Sequence, residues 1–133
     1  LYQSVKGMRA AHTVVADQGV IICAAECREG VPEHGSFAEL LRSRKTPAAL
    51  LEMIDDPDFA TPDQWQVQVQ ALVQRRARVY LKSDGLSADQ LAQSHLLPAD
   101  DVSESIVRAL FDAGNEARLC VLPQGPQTIP YLA

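Results

Sequence analysis

No stretch of the 133-residue sequence is apolar for long enough to cross a bilayer. Runs such as Val20 to Ala25 (VIICAA) fall far short of the ~20 residues a spanning helix needs, so no membrane span is expected. Basic clusters are missing as well. The net charge is −5, with Arg and Lys scattered along the chain, which removes the electrostatic footprint of a nucleic-acid binder and leaves an ordinary solubilising surface. Cysteine is scarce and odd in number, three in all, so no complete disulfide framework can be drawn. Cys23 and Cys120 lie inside apolar segments, where a thiol behaves as a small hydrophobe, and a reducing, cytoplasmic compartment is the expectation. No glycine-rich phosphate loop follows any strand, because Gly30 and Gly35 have the wrong spacing from a helix start. There is no internal repeat and no low-complexity tract. The opening LYQSVKG has neither an initiator Met nor a basic-then-apolar leader, and an excised piece of a larger protein without a signal peptide is the expectation.

What is present is an alternation of strands and helices. An apolar content of 47% over this length suffices for one buried core, and a single domain is the expectation. Val5, Met8, His12 and Val15 recur on one helical face and predict a first helix over about 4–17. Val20 to Ala25 is apolar on both faces, as a central parallel strand under two helical layers would be. Three helix starts follow: Ser36 with Glu39 as a capping box, Thr46 before Pro47, and Thr61-Pro62 with Gln64 as a second box. The last of these helices carries Trp65, Val69, Leu72 and Val73 as its apolar stripe. Arg78 to Lys82 reads as the second strand, Ser87 with Gln90 as another box, and 101–113 as a helix with Val102, Ile106, Leu110 and Phe111 on one side. Leu119 to Leu122 reads as the third strand. Long helical crossovers between such strands imply parallel, right-handed connections. The fold class expected is therefore α/β, an open three-layer helix, sheet, helix domain with a short, mostly parallel sheet.

Ligands of such sheets bind beyond the carboxyl ends of the strands. Here those ends are the 26–35 loop, the Ser83-Asp84-Gly85 turn and the 123–130 tail. Cys23, Glu26, Cys27 and His34 invite a metal reading, but their spacing matches no zinc pattern, and four residues of extended strand put Cys23 and Cys27 roughly 13 Å apart. Buried thiols are the expectation. His12 reads as a partly buried helix residue, His34 as a loop residue and His95 as a surface one. The segment LYQSVKGM is more informative. If Ser4 caps the first helix, Lys6 stands in its first turn, where free amides and the helix dipole already favour an anion. Gln3 lies one turn behind, and Gly7 allows close approach to the backbone. The residues alone fit either a carboxylate or phosphate site or a solvated lysine, and Tyr2 either a ligand contact or a packing residue.

Taken together, LYQSVKGM, GVIICAAEC, TPDQWQVQ, YLKSDGL and VLPQGPQTIP resemble the C-terminal domain of the nickel-dependent lactate racemase family over nearly the whole chain. The resemblance implies a larger enzyme whose N-terminal domain carries a nickel pincer nucleotide and the acid/base histidines. It implies an isomerase acting on a small 2-hydroxyacid, with no catalytic residue and no metal ligand in this domain and with no activity from this domain alone. By position in the motif, Gln3 resembles a substrate-bonding glutamine and Lys6 the lysine that holds the anionic part of substrate or cofactor. Tyr2 and Trp65 resemble aromatics of the pocket wall. The partners implied are the protein's own N-terminal domain and the hydroxyacid. A small-ligand binding or interaction module without racemase activity is the alternative.

Overall fold

The computed structural model describes residues 1–131. The order is α1 (Ser4–His12), β1 (Val20–Ala24), α2 (Phe37–Arg42), α3 (Pro47–Ile54), α4 (Gln64–Arg76), β2 (Arg78–Lys82), α5 (Ala88–Gln93), β3 (Leu97–Pro98) and α6 (Val102–Ala113), followed by a single 3-10 turn at Gly125–Gln127. The sheet is parallel throughout, in the order β1-β2-β3, with Ile21 opposite Val79 and Tyr80 opposite Leu97. This is the α/β class expected.

Side-chain alternation splits the sheet into two faces. Ile21, Val79 and Leu81 turn into a core shared with Val5 and Met8 of α1, Phe37 and Leu41 of α2, and Val67, Ala71 and Val73 of α4. Val20 and Tyr80 turn the other way, beneath α6, where they border a cavity of about 200 Å³ with Glu104 and Arg108. Helices thus lie on both sides, but only one layer is tightly sealed: no residue of α6 is fully buried.

The third strand lies elsewhere than expected. β3 is Leu97–Pro98, and 119–122 belongs to no strand. Burial of Leu96 and Ala99 presses the chain against β2, and Ala99 N donates to Leu81 O at 3.2 Å. Pro98 is tolerated there because an outer strand does not need its amide hydrogen. β1, expected at the centre, stands at the edge of the three-stranded sheet.

Caps decide several boundaries. Thr46 Oγ1 accepts from Ala49 N at 3.2 Å ahead of Pro47, Ser87 and Gln90 exchange both bonds of a capping box, and Asp101 Oδ1 accepts from Glu104 N at 2.8 Å. The box expected at Ser36 does not form. Its amide donates instead to Asp63 Oδ2 at 3.1 Å, which leaves Glu39 no role as the reciprocal partner. At Thr61 half of the box exists, with Gln64 Oε1 accepting from Thr61 N at 2.7 Å, but the helix begins at Gln64 because Asp63 is left-handed, at φ 65°. α1 stops at His12 rather than near residue 17. Thr13 Oγ1 bonds back to Ala10 O at 2.8 Å, a local alternative to continuing the helix, and Gln18 N turns to Arg76 O at 2.7 Å.

Candidate functional site

The start of α1 is held from three directions. Leu1 N donates to Gly30 O at 2.8 Å, tying the segment to the loop after β1. Gln66 Nε2 donates to Tyr2 O at 2.6 Å, tying it to α4. The 3-10 turn of the tail crosses α1 at Gly7, where an added Cβ would lie 3.7 Å from the Pro126 ring, so the close approach expected at Gly7 is to this chain's own tail. The N-cap position is Gln3, not Ser4, and it makes no side-chain cap bond. Ser4 Oγ instead meets Cys27 Sγ at 3.5 Å.

Lys6 still occupies the first turn of α1. Its side chain and that of Gln3 are exposed, Lys6 makes no ion pair among the described residues, and the first turn contains no acidic residue. Ser4 N and Lys6 N are taken up by Leu1 O at 2.8 Å and Gln3 O at 3.2 Å, so it is the positive end of the helix dipole together with an unneutralised ammonium that gives a surface favouring an anion.

An aromatic wall stands beside this turn. The half-buried Tyr2 ring packs edge-on against buried Phe37, with centroids 5.0 Å apart and planes at 65°, and against Trp65 at 6.0 Å and 86°. Trp65 remains 53% exposed, which corrects its expected place on the buried stripe of α4. That stripe is Gln66, Val67, Gln70, Ala71 and Val73. Asp63 fastens the wall: its Oδ1 accepts from the Tyr2 hydroxyl at 3.4 Å while its Oδ2 takes the Ser36 amide. Desolvation of the ring first, and then the Asp63 carboxylate, raise the Tyr2 pKa above its ordinary value, so Tyr2 is a neutral phenol at physiological pH.

Asp63 and Gln66 were not singled out by the sequence. Only their spacing from Trp65 on one helix start could have pointed to them. Two more glutamines of α4, buried Gln70 and half-buried Gln74, do related work. Gln70 Nε2 donates to Ser94 O at 2.8 Å, and Gln74 Nε2 reaches both Ser94 O and His95 O. His95 is accordingly no free surface residue: half-buried and left-handed at φ 57°, it meets Leu41 O through Nε2 at 3.1 Å.

The other candidates stay apart from the wall. His34 is exposed in its loop. His12 is half-buried at the far end of α1, where Arg9 Nη1 donates to its Nδ1 at 2.6 Å; desolvation, then Arg9 and Arg76, hold its pKa below the usual value. Burial, then the neighbouring Cys27, pushes the Cys23 thiol up to about 11, leaving it protonated and unreactive at neutral pH. Among the described residues, no three His, Cys, Asp or Glu side chains converge to hold a metal. No helix there is long and apolar enough to cross a membrane.

A three-stranded parallel α/β domain with an anion-favouring helix start beside an aromatic wall is the class that fold and site define. Residues 1–129 match the lactate racemase C-terminal domain family, and the chain belongs to it. It is 32% identical over 131 residues to the lactate racemase of Thermoanaerobacterium thermosaccharolyticum, covering 97% of this chain and 30% of that protein. It is 31% identical over 126 residues to the lactate racemase of Lactiplantibacillus plantarum, covering 94% of this chain and 30% of that one. The solved structure of the lactate racemase apoprotein from T. thermosaccharolyticum superposes with a TM-score of 0.73 at 31% identity, over 86% of this chain and 28% of that one. The chain thus spans about 30% of the length of the curated relatives it matches.

Proposed function

We propose that this chain is the C-terminal, substrate-side domain of a larger 2-hydroxyacid racemase or epimerase, and that Lys6 and Gln3 anchor the anionic end of the substrate or cofactor. The observation that carries the reading is the exposed Lys6 in the first turn of α1, without an ion pair among the described residues and set beside the Tyr2 and Trp65 wall in a chain related to lactate racemases. The nickel pincer nucleotide implied by the family would supply a hydride acceptor for the α-carbon of the hydroxyacid when bound. An exposed ammonium at a helix start fits an anionic group of that cofactor or of the substrate. The metal's ligands belong to the remainder of the enzyme.

In this reading the chain's residues position rather than titrate. Racemisation requires the planar 2-ketoacid to be presented on either face while its carboxylate stays anchored. A charged donor from Lys6 and a neutral amide from Gln3 can hold the carboxylate through that turn without joining the redox step. Tyr2 donates its hydroxyl proton to Asp63, so the phenol is committed to shaping the wall. Trp65, with half its surface free, is available to cover the substrate and keep water out.

Two measurements test the reading. The 133-residue chain alone should bind no stoichiometric nickel and racemise no 2-hydroxyacid, as followed by metal analysis and chiral chromatography; tight nickel at one equivalent would sink the assignment of the cofactor to the rest of the enzyme. In the full-length protein, Trp65→Ala should cut turnover far more than it lowers Tm, since loss of a half-exposed ring leaves little cavity. A large stability loss with unchanged turnover per folded molecule would make Trp65 a packing residue only.

A further inference from the structure

α6 is apolar on two faces. Ile106, Ala109 and Leu110 turn toward the sheet and are half-buried, whereas Val107 and Phe111, one turn apart on another side, are 67% and 85% exposed. A helix with apolar residues on more than one side is normally enclosed on more than one side. Beyond the turn closed by Ala117 N donating to Gly114 O at 3.1 Å comes the β-forming run Leu119 to Leu122. Leu119 and Val121 in it are 55% and 67% exposed. The amides of 119–121 make no backbone hydrogen bond to the described residues. Strand-forming residues with unpaired backbone and bare apolar side chains are a surface prepared for a partner.

We propose that the face built from Val107, Phe111, Leu119 and Val121 docks the remainder of the longer polypeptide to which this domain belongs. The inference rests on the reading above that the chain is one domain of a larger enzyme. The occupant is chosen by length: the related racemases carry about 70% of their sequence outside the matched part, since the match covers 30% of each, and a body of that size needs a seat on this domain. The site wall does not provide it alone, because Tyr2 and Trp65 lie with α1 and α4, on the opposite side of the sheet from α6.

Cys120, exposed between Leu119 and Val121, is a built-in reporter. In the folded full-length protein, maleimide labelling of Cys120, followed by peptide mass spectrometry, should run at least about tenfold slower than in the denatured protein, and the 119–122 amides should exchange slowly. Phe111→Asp should raise Cys120 labelling toward the denatured rate; should that variant fail to fold, Val107→Ser should do so in part. Unprotected labelling and exchange in the wild-type full-length protein would overturn the proposal. Protection that disappears on dilution would also overturn it, in favour of a second copy as occupant. Neither readout uses catalysis, so an enzyme with another substrate would still protect Cys120, and an active racemase with a bare α6 face would refute the docking face alone.

Discussion

Lys6→Ala in the full-length enzyme should cost at least about tenfold in kcat/KM, a modest share of one charge-assisted contact, while Tm stays within a degree or so of wild type. The stability half follows from exposure. Lys6 makes no ion pair among the described residues, and surface substitutions of that kind stay within about 0.5 kcal/mol. The activity half follows from position, since removing the ammonium leaves only the helix dipole to favour an anion. Lys6→Arg should rescue in part, because a planar fork does not reproduce a compact ammonium in a helix turn. Gln3→Ala should lose less than Lys6→Ala, a neutral donor contributing less than a charged one. Steady-state racemisation at equal nickel loading reads all three, and wild-type efficiency in Lys6→Ala would remove this domain from the substrate site.

Phe37→Ala should be the most damaging single truncation for the fold. The ring is 0% exposed among Leu41, Val67 and their neighbours, and emptying such a site costs about 3–5 kcal/mol when the surroundings relax only partly. For a chain of this size that corresponds to roughly 10 °C or more in Tm. The loss should reach the wall too, because Phe37 supplies the edge against which Tyr2 is seated at 5.0 Å. Denaturant titration followed by circular dichroism measures the first effect, and turnover per folded full-length molecule the second. A cost under about 1 kcal/mol would mean that α2 collapses onto α4 and refills the space.

Local chemistry was legible in the sequence wherever one short segment decides the outcome. Thr46 before Pro47 and the Ser87 and Gln90 pair both cap as their residue types require. Ser36 and Thr61 show where such reasoning stops. The Ser36 amide is taken by Asp63, a residue of another helix start, and nothing within four positions of Ser36 announces that, while Thr61 keeps Gln64 but loses the helix start to the left-handed Asp63. The stripe of α4 was misjudged for a similar reason. Apolarity favours Trp65 and Val69 as core, but main-chain carbonyls at Tyr2, Ser94 and His95 needed donors, and the glutamines were drawn inward to meet them. The run at 119–122 has strand composition, yet composition cannot say whether a neighbour is present to pair with it. Of the site, the first turn of α1 and the aromatics were visible as a motif, whereas Asp63 and Gln66, which hold Tyr2 in place, became visible only once the helices were packed.

The three glutamine ties of α4 also shape how this domain can drift. Each is addressed to a main-chain oxygen, at Tyr2, Ser94 or His95, and every residue type offers that same oxygen. A new side chain at 94 or 95 therefore leaves the tie itself intact and is limited instead by the buried space at Ser94 and by the φ of 57° and the Leu41 contact at His95, whereas a change at Gln66, Gln70 or Gln74 demands a new donor of the same reach. The demand for a donor thus sits at one end of each bond, and a saturation library at 66, 70 and 74 would record it as intolerance of every side chain that cannot donate at that reach.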